Sequence, residues 1–215
     1  MLGIARAALS ARPPAARPIA LVRASLDTLI VAALAALFLV TFVIRPFYIP
    51  SVSMVPTLQV NDLLLVDEIA YRLQRPANGE IAVFAPPVNS GGADYVKRVI
   101  GVPGDTIAIA DGVVYRNGAP LREPYENEPP RYDLSIENYS IYVDGRPLDP
   151  HVADVPPKPL WQAPNRIPRG FYFVLGDNRN YSDDSHVWGF VAGARFIGRA
   201  FLILWPLSRL RALES

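Results

Sequence analysis

Two serines stand one residue apart in the stretch IPSVSMVPTL (residues 49–58), fenced by Pro50 and Pro56, with Met54 directly after the second. Serines between prolines are commonly turn residues. Either hydroxyl, Ser51 or Ser53, becomes a nucleophile only if a base lies within hydrogen-bonding reach. Lysine usage suggests one. Of 21 basic residues only Lys97 and Lys158 are lysines; the rest are arginines. A lysine kept inside the hydrophobic run DYVKRVIGV (94–102) suggests a task that arginine cannot perform, namely losing a proton. Arginine stays charged, whereas a buried lysine can fall several units below ~10.4 and act as a base. The plainer reading is a snorkelling strand lysine. As a neutral base, Lys97 needs a hydroxyl within ~2.6–3.2 Å. A serine activated by lysine is a known variant of the nucleophile–base pair and needs no histidine. One of the two hydroxyls could attack a carbonyl while the other, with a backbone N–H, holds the oxyanion.

Composition removes several other chemistries. Without cysteine there are no disulfides, thiolate nucleophiles or Cys-type zinc sites. With only His151 and His186, a multi-histidine metal site is excluded as well, so neither metal nor cofactor is expected. A net charge of +1 offers no nucleic-acid footprint. A histidine triad is the rival mechanism, but the chain contains no Gly-x-Ser-x-Gly elbow. His186 sits in DDSHVWG and His151 in a proline-rich loop, and both read as structural.

The elements that must position these groups begin with a membrane arrangement. Residues 1–25 carry Arg6, Arg12, Arg17 and Arg23 and no acid, in front of a mildly acidic body. Between Asp27 and Arg45 lie 17 uncharged residues, TLIVAALAALFLVTFVI. As a helix they span ~26 Å, slightly short of a ~30 Å hydrocarbon core. Arg23 and Arg45 can snorkel outward, and Phe47 and Tyr48 can sit in the interface. This predicts a basic cytoplasmic tail over 1–25, a single transmembrane anchor over 26–46, and an exported domain over 47–215. A cleaved signal peptide is disfavoured, because no small-x-small site follows the apolar run. A transit peptide is the weaker rival.

From residue 60 onward the pattern is β. Short β-branched and aromatic runs alternate with Pro, Gly and Asn, and Asp-Gly pairs in TIAIADGVVYRNG and YSIYVDGRPL mark hairpins. The late run FLILW (201–205) is too short to span a membrane and reads as a buried strand. Eleven of the 22 prolines fall in 120–168, which predicts a loop-rich excursion with one hairpin. The expected fold is mostly β: an antiparallel, barrel-like catalytic domain behind the single N-terminal transmembrane helix.

Three motifs in this order behind an apolar segment, IPSVSMVPTL, DYVKRVIGVPGDTI and GDNRNYSDDSHVWGFV (176–191), closely resemble bacterial type I signal peptidase. The likeness spans roughly residues 45–110 and 171–205. It implies a Ser–Lys peptidase with Ser53 as the acyl-forming nucleophile and Lys97 as the general base. Ser51 would support the oxyanion together with the Ser53 amide. Ser182 matches the serine that orients the lysine amine, and Arg98, Asp177 and Asp184 match a supporting salt-bridge network. Phe47, Ile49, Leu58, Tyr95 and Val96 match positions lining shallow pockets for small residues at −1 and −3 of the substrate. His186 stands where the family commonly has arginine, so the charge partner expected for Asp184 is either pH-dependent or absent. Asn61 replaces a usual glycine before Asp62, and Asn180–Tyr181 replaces a more usual Asp-Asn. The implied partners are preprotein signal peptides and the lipid bilayer, in a bacterial inner membrane with the catalytic domain on the exported side. The alternatives are a Ser–Lys peptidase dedicated to pilin or conjugation substrates, and a membrane-anchored β module that binds secreted proteins without cleaving them.

Overall fold

The computed structural model describes residues 18–42, 44–87, 92–149 and 156–214. The chain divides into two units, Met1–Thr41 and Phe42–Ser215. The first holds a 25-residue helix, α1 (Pro18–Phe42), built largely of alanine, leucine and valine. Pro18 opens it, a position where the missing N–H costs nothing. Leu29, Ile30, Val31 and Leu34 are all exposed.

Among the described residues no helix is long and apolar enough to cross a membrane. The expected anchor over 26–46 overlaps α1 with different bounds: the helix runs from Pro18 and stops at Phe42, and Ile44–Tyr48 forms a strand. The cause is local. Pro46 biases Arg45 towards extended backbone, and Arg45 and Pro46 pair with Val66 and Leu65. The basic tail over 1–17 lies outside the described residues, as does His151.

The second unit is antiparallel β throughout its described pairings. In chain order its strands begin with β1 (Ile44–Tyr48), β2 (Leu63–Asp67), β3 (Ile81–Phe84), β4 (Tyr95–Gly101) and β5 (Ile107–Ala110). They continue with β6 (Val113–Arg116), β7 (Ala119–Pro120), β8 (Leu134–Glu137), β9 (Ser140–Val143) and β10 (Arg146–Pro147). The last four are β11 (Phe171–Leu175), β12 (Val191–Ala192), β13 (Phe196–Trp205) and β14 (Arg211–Ala212). The first sheet runs β1-β2-β13-β3-β4-β11-β12, with β14 added on β13. The second runs β10-β9-β8-β5-β6-β7.

The first sheet is open, with β1 and β12 at the ends of its path, so the expected barrel is realised only as a curled, unclosed sheet. Register shifts in β13 and β11 supply the bends that curl it.

Turn chemistry explains the second sheet. Asp111–Gly112 joins β5 to β6 and Asp144–Gly145 joins β9 to β10, each pair in left-handed backbone as a two-residue hairpin requires. Asn138–Tyr139 makes the same turn between β8 and β9, a case no Gly signals. The proline-rich excursion over 120–168 is therefore more ordered than its composition suggests, since it contributes β8, β9 and β10. Only short helices interrupt the strands, α2 (Ala70–Leu73) and α3 (Ser185–Trp188). FLILW is strand as expected, but its burial ends at Ile203, and Trp205 is exposed.

Successive side chains of β4 point to opposite faces. Val99 joins a core with Phe84, Tyr172, Val174 and Trp188, while Ile100 joins another with Phe173, Leu175 and Phe190. The second core also takes Ile107, Ile109, Leu134 and Ile141 from the second sheet, and so welds the two sheets together. Phe173 is fully buried there and packs edge-on against Phe190. Phe173→Ala is expected to destabilise the protein by about 3–5 kcal/mol, read from urea unfolding in detergent.

Candidate active site

The serine-bearing loop is held at both ends by burial. The Ile49 and Asn61 amides bond to the Asp62 and Ile49 carbonyls, extending the β1–β2 ladder by one step. Asn61 adopts φ 74°, a left-handed backbone that asparagine tolerates, which explains how it replaces a glycine there. Met54 and Leu58 are buried, and the Leu58 amide donates to the Met54 carbonyl. Asp62 is gripped by Arg209 through two 2.9 Å bonds, and Arg209 and Arg211 both donate to the Thr57 carbonyl.

β4 delivers the lysine to this loop. Lys97 Nζ lies 2.6 Å from Ser53 Oγ, with Lys97 and Ser53 both buried. Among the described residues this is the only hydrogen bond that the Lys97 amine makes. Burial pushes its pKa below the ordinary 10.5, while the charges of Asp184, Asp183 and Asp177 oppose the fall. Ser51 Oγ is 3.3 Å from Ser53 Oγ. The Ser53 carbonyl accepts from the Asn178 amide, whereas the Ser53 amide donates to no described group. A hydroxyl beside a buried lysine of depressed pKa can lose its proton to that lysine.

The hydroxyls and lysine open into a cleft of about 270 Å³. Phe47, Ile49, Tyr95 and Val96 line it, as the resemblance implies. Leu58 does not. Its side chain is fully buried beneath, with Ile49, Met54 and Leu64, because the turn that bonds Leu58 to Met54 aims both side chains into the core. Tyr48, Tyr181 and Asp183 also line the cleft, and no local pattern in the sequence marked them.

The segment after β11 braces the loop from behind. Asn178 holds it twice, its amide on the Ser53 carbonyl and its side chain on the Val52 carbonyl at 3.1 Å. A Cβ on Gly176 would collide with both the Ser53 carbonyl and the Ser182 hydroxyl, so only glycine allows this approach. Asp177 is fully buried and receives Arg98 through two bonds of 2.9 and 2.8 Å, plus the Thr57 hydroxyl. Arg98 also donates to the Gly79 carbonyl and lies 3.8 Å over the Tyr125 ring.

The Ser182 hydroxyl donates to Asp184 Oδ2 at 2.6 Å, and no described hydrogen bond joins it to Lys97, although its lone pairs leave it able to accept from the amine. Asp184 also accepts from the Gly176 amide and from His186, whose Nδ1 is 2.7 Å from Oδ1. Burial pushes the Asp184 pKa up, but the bond and charge of His186 outweigh it and hold the carboxyl below its ordinary range. His186 thus stands where a charge partner is needed, and Tyr132 stacks on its ring at 4.3 Å.

A second layer of support comes from the excursion, through contacts that no local pattern marks. Arg179 is fully buried in a two-bond grip from Glu123, at 2.7 and 2.8 Å. The Asn127 amide donates to the Asp177 carbonyl. Asn180 accepts from the Arg131 amide and donates to the Pro129 carbonyl. Residues 123–132 therefore form a strap across the back of the segment 176–186. Among the described residues no cluster of His, Cys, Asp or Glu could hold a metal ion.

An antiparallel scaffold thus presents a buried lysine against a serine in an apolar-walled cleft. The chain belongs to the signal peptidases of peptidase family S26, whose family model matches residues 22–205. It is 39% identical over 208 residues to the probable signal peptidase I-1 of Synechocystis sp., covering 94% of this chain and 92% of that one. It is 40% identical over 184 residues to a signal peptidase I of Leptolyngbya laminosa, covering 83% and 77%. It is 35% identical over 183 residues to signal peptidase IB of Staphylococcus aureus, covering 85% and 89%. Family membership makes it a serine peptidase, a hydrolase of the type I signal peptidase kind.

Asp177→Ala leaves the Arg98 guanidinium buried without its carboxylate. It is expected to cost about 3–5 kcal/mol in chemical unfolding.

Proposed function

We propose that the protein is a membrane-bound endopeptidase that removes N-terminal signal peptides after small-x-small sites by a Ser53–Lys97 dyad. The observation that carries this reading is the 2.6 Å contact between Lys97 Nζ and Ser53 Oγ. Neutral Lys97 takes the Ser53 proton as the oxygen attacks the scissile carbonyl. The tetrahedral oxyanion then meets two donors, the Ser51 hydroxyl and the unengaged Ser53 amide. The protonated lysine passes its proton to the leaving amine, and as a base again it activates the water that releases the acyl group.

Phe47, Ile49, Tyr95 and Val96 give the cleft an apolar wall suited to small substrate side chains. An extended substrate can bond its main chain beside these strands while the pockets select at alternate positions. For the membrane, the support is the run of 17 uncharged residues and its four leading arginines. By the positive-inside rule these place the N-terminus in the cytoplasm and the catalytic unit on the exported side.

The test is cleavage of a preprotein by the full chain in detergent, with the product N-terminus mapped by mass spectrometry. Ser53→Ala and Lys97→Arg should each abolish turnover with the fold intact; substantial activity in Lys97→Arg would exclude the neutral-lysine base. Ser51→Ala should lower kcat by ~10²–10³, and an unchanged rate would remove Ser51 from the oxyanion role.

The pH dependence has a definite sign. kcat/KM should rise with pH as Lys97 deprotonates, with its midpoint below 10.5. Between that midpoint and the ordinary lysine value the unfolded chain binds the extra proton, so stability also rises with pH across this window. A circular-dichroism melt at several pH values reads the second effect.

A further inference from the structure

A separate cleft of about 660 Å³ opens beside β11, among residues of α2, the turn after β4 and the segment before β11. Arg75 and Arg169 line it, together with the side-chain amides of Gln74 and Gln162 and the rings of Tyr71 and Tyr172. No carboxylate lines it. Among the described residues neither guanidinium has an acidic partner. The acid bonded to the Tyr71 hydroxyl, Glu80, is already engaged by Arg199 at 3.2 Å and by the Ala77 amide.

Tyr172 separates this cleft from a merely basic surface. The residue is only 3% exposed, packed edge-on against Phe196. Yet its hydroxyl reaches the cleft and bonds to no described group. The ring is anchored in the core while the hydroxyl stays open to solvent in the cleft, so it is a fixed donor that a ligand can reach. Burial holds that hydroxyl above the ordinary tyrosine pKa while the charge of Arg75 pulls the other way, so it stays a donor under the positive charge.

We propose that this cleft binds a phosphate group, with Arg75 and Arg169 neutralising its charge and Tyr172 donating a hydrogen bond to one oxygen. Two guanidiniums balance up to two negative charges, and the fork of each fits the paired oxygens of a phosphate. The amides of Gln74 and Gln162 add donors for the remaining oxygens. The same chemistry serves a free phosphate ester or the headgroup of an anionic phospholipid, and the experiment separates them.

The full chain in neutral detergent is titrated by isothermal calorimetry at constant ionic strength with two probes, inorganic phosphate and dihexanoyl-phosphatidylglycerol below its micelle concentration. Chloride serves as the control anion. The expected result is saturable binding of at least one probe, weakened about tenfold or more in Arg75→Gln/Arg169→Gln. Tyr172→Phe, which deletes only a hydroxyl that holds no bond in the fold, should weaken it less. Binding of phosphate alone assigns a small phosphate compound, and binding of the lipid probe assigns a headgroup. Preprotein cleavage in phosphate-free detergent should be unchanged in both variants. If neither probe saturates below ~10 mM, or if the double variant binds as well as the parent, the phosphate site is refuted.

Discussion

Burying a lysine amine with no carboxylate bonded to it is the constraint around which the catalytic unit is organised. Desolvation disfavours the charged amine and lowers its pKa, which the proposed mechanism needs if Lys97 is to act as a base. The danger lies in the nearby acids, because Asp177, Asp183 and Asp184 all pull its pKa back up. Two of them are bonded to other cationic or titratable partners: Asp177 to Arg98, and Asp184 to His186. Their charges are thereby partly balanced before they reach the lysine, and the amine's single described hydrogen bond is left for Ser53.

The same economy explains why so much of the machinery is backbone. The loop that carries Ser53 is irregular, and its carbonyls would be stranded without donors. Asn178 supplies two of them, and Arg209 and Arg211 supply the Thr57 carbonyl. Gly176 lets the two segments touch. Ser53, the proposed nucleophile, is thus fixed by its neighbours' main-chain bonds more than by its own side-chain contacts, and its amide donates to no described group.

What the sequence made legible follows from how local each signal is. Lys97 stood out because the chain otherwise uses arginine, and the two Asp-Gly hairpins carried their own turn chemistry. Leu58 was misplaced because a position beside a cleft and one beneath it share the same apolar pattern, and only the turn at Met54 decides between them. The bond from Ser182 to Asp184 was not legible, because which acceptor a hydroxyl meets depends on distances no spacing reveals. The anchor was drawn too far along the chain because an apolar count is blind to the strand pairing that claims Arg45 and Pro46. Glu123, Tyr125 and Tyr132 were invisible, since each meets a partner far away in the chain.

The strap over residues 123–132 has a consequence for how such a chain can vary. It is fastened at its root, where Glu123, Tyr125 and Tyr132 grip Arg179, Arg98 and His186. Beyond the root, the hairpin of β9 and β10 ends at an edge of the second sheet and touches none of these groups through a described hydrogen bond. Length can therefore be added or removed at that tip without disturbing the nucleophile, whereas a single shift of register at the root would reach it. The excursion is a stem fastened to the site that ends in an exposed turn, Asp144–Gly145, and at that turn the chain can acquire new surface at little risk to its chemistry.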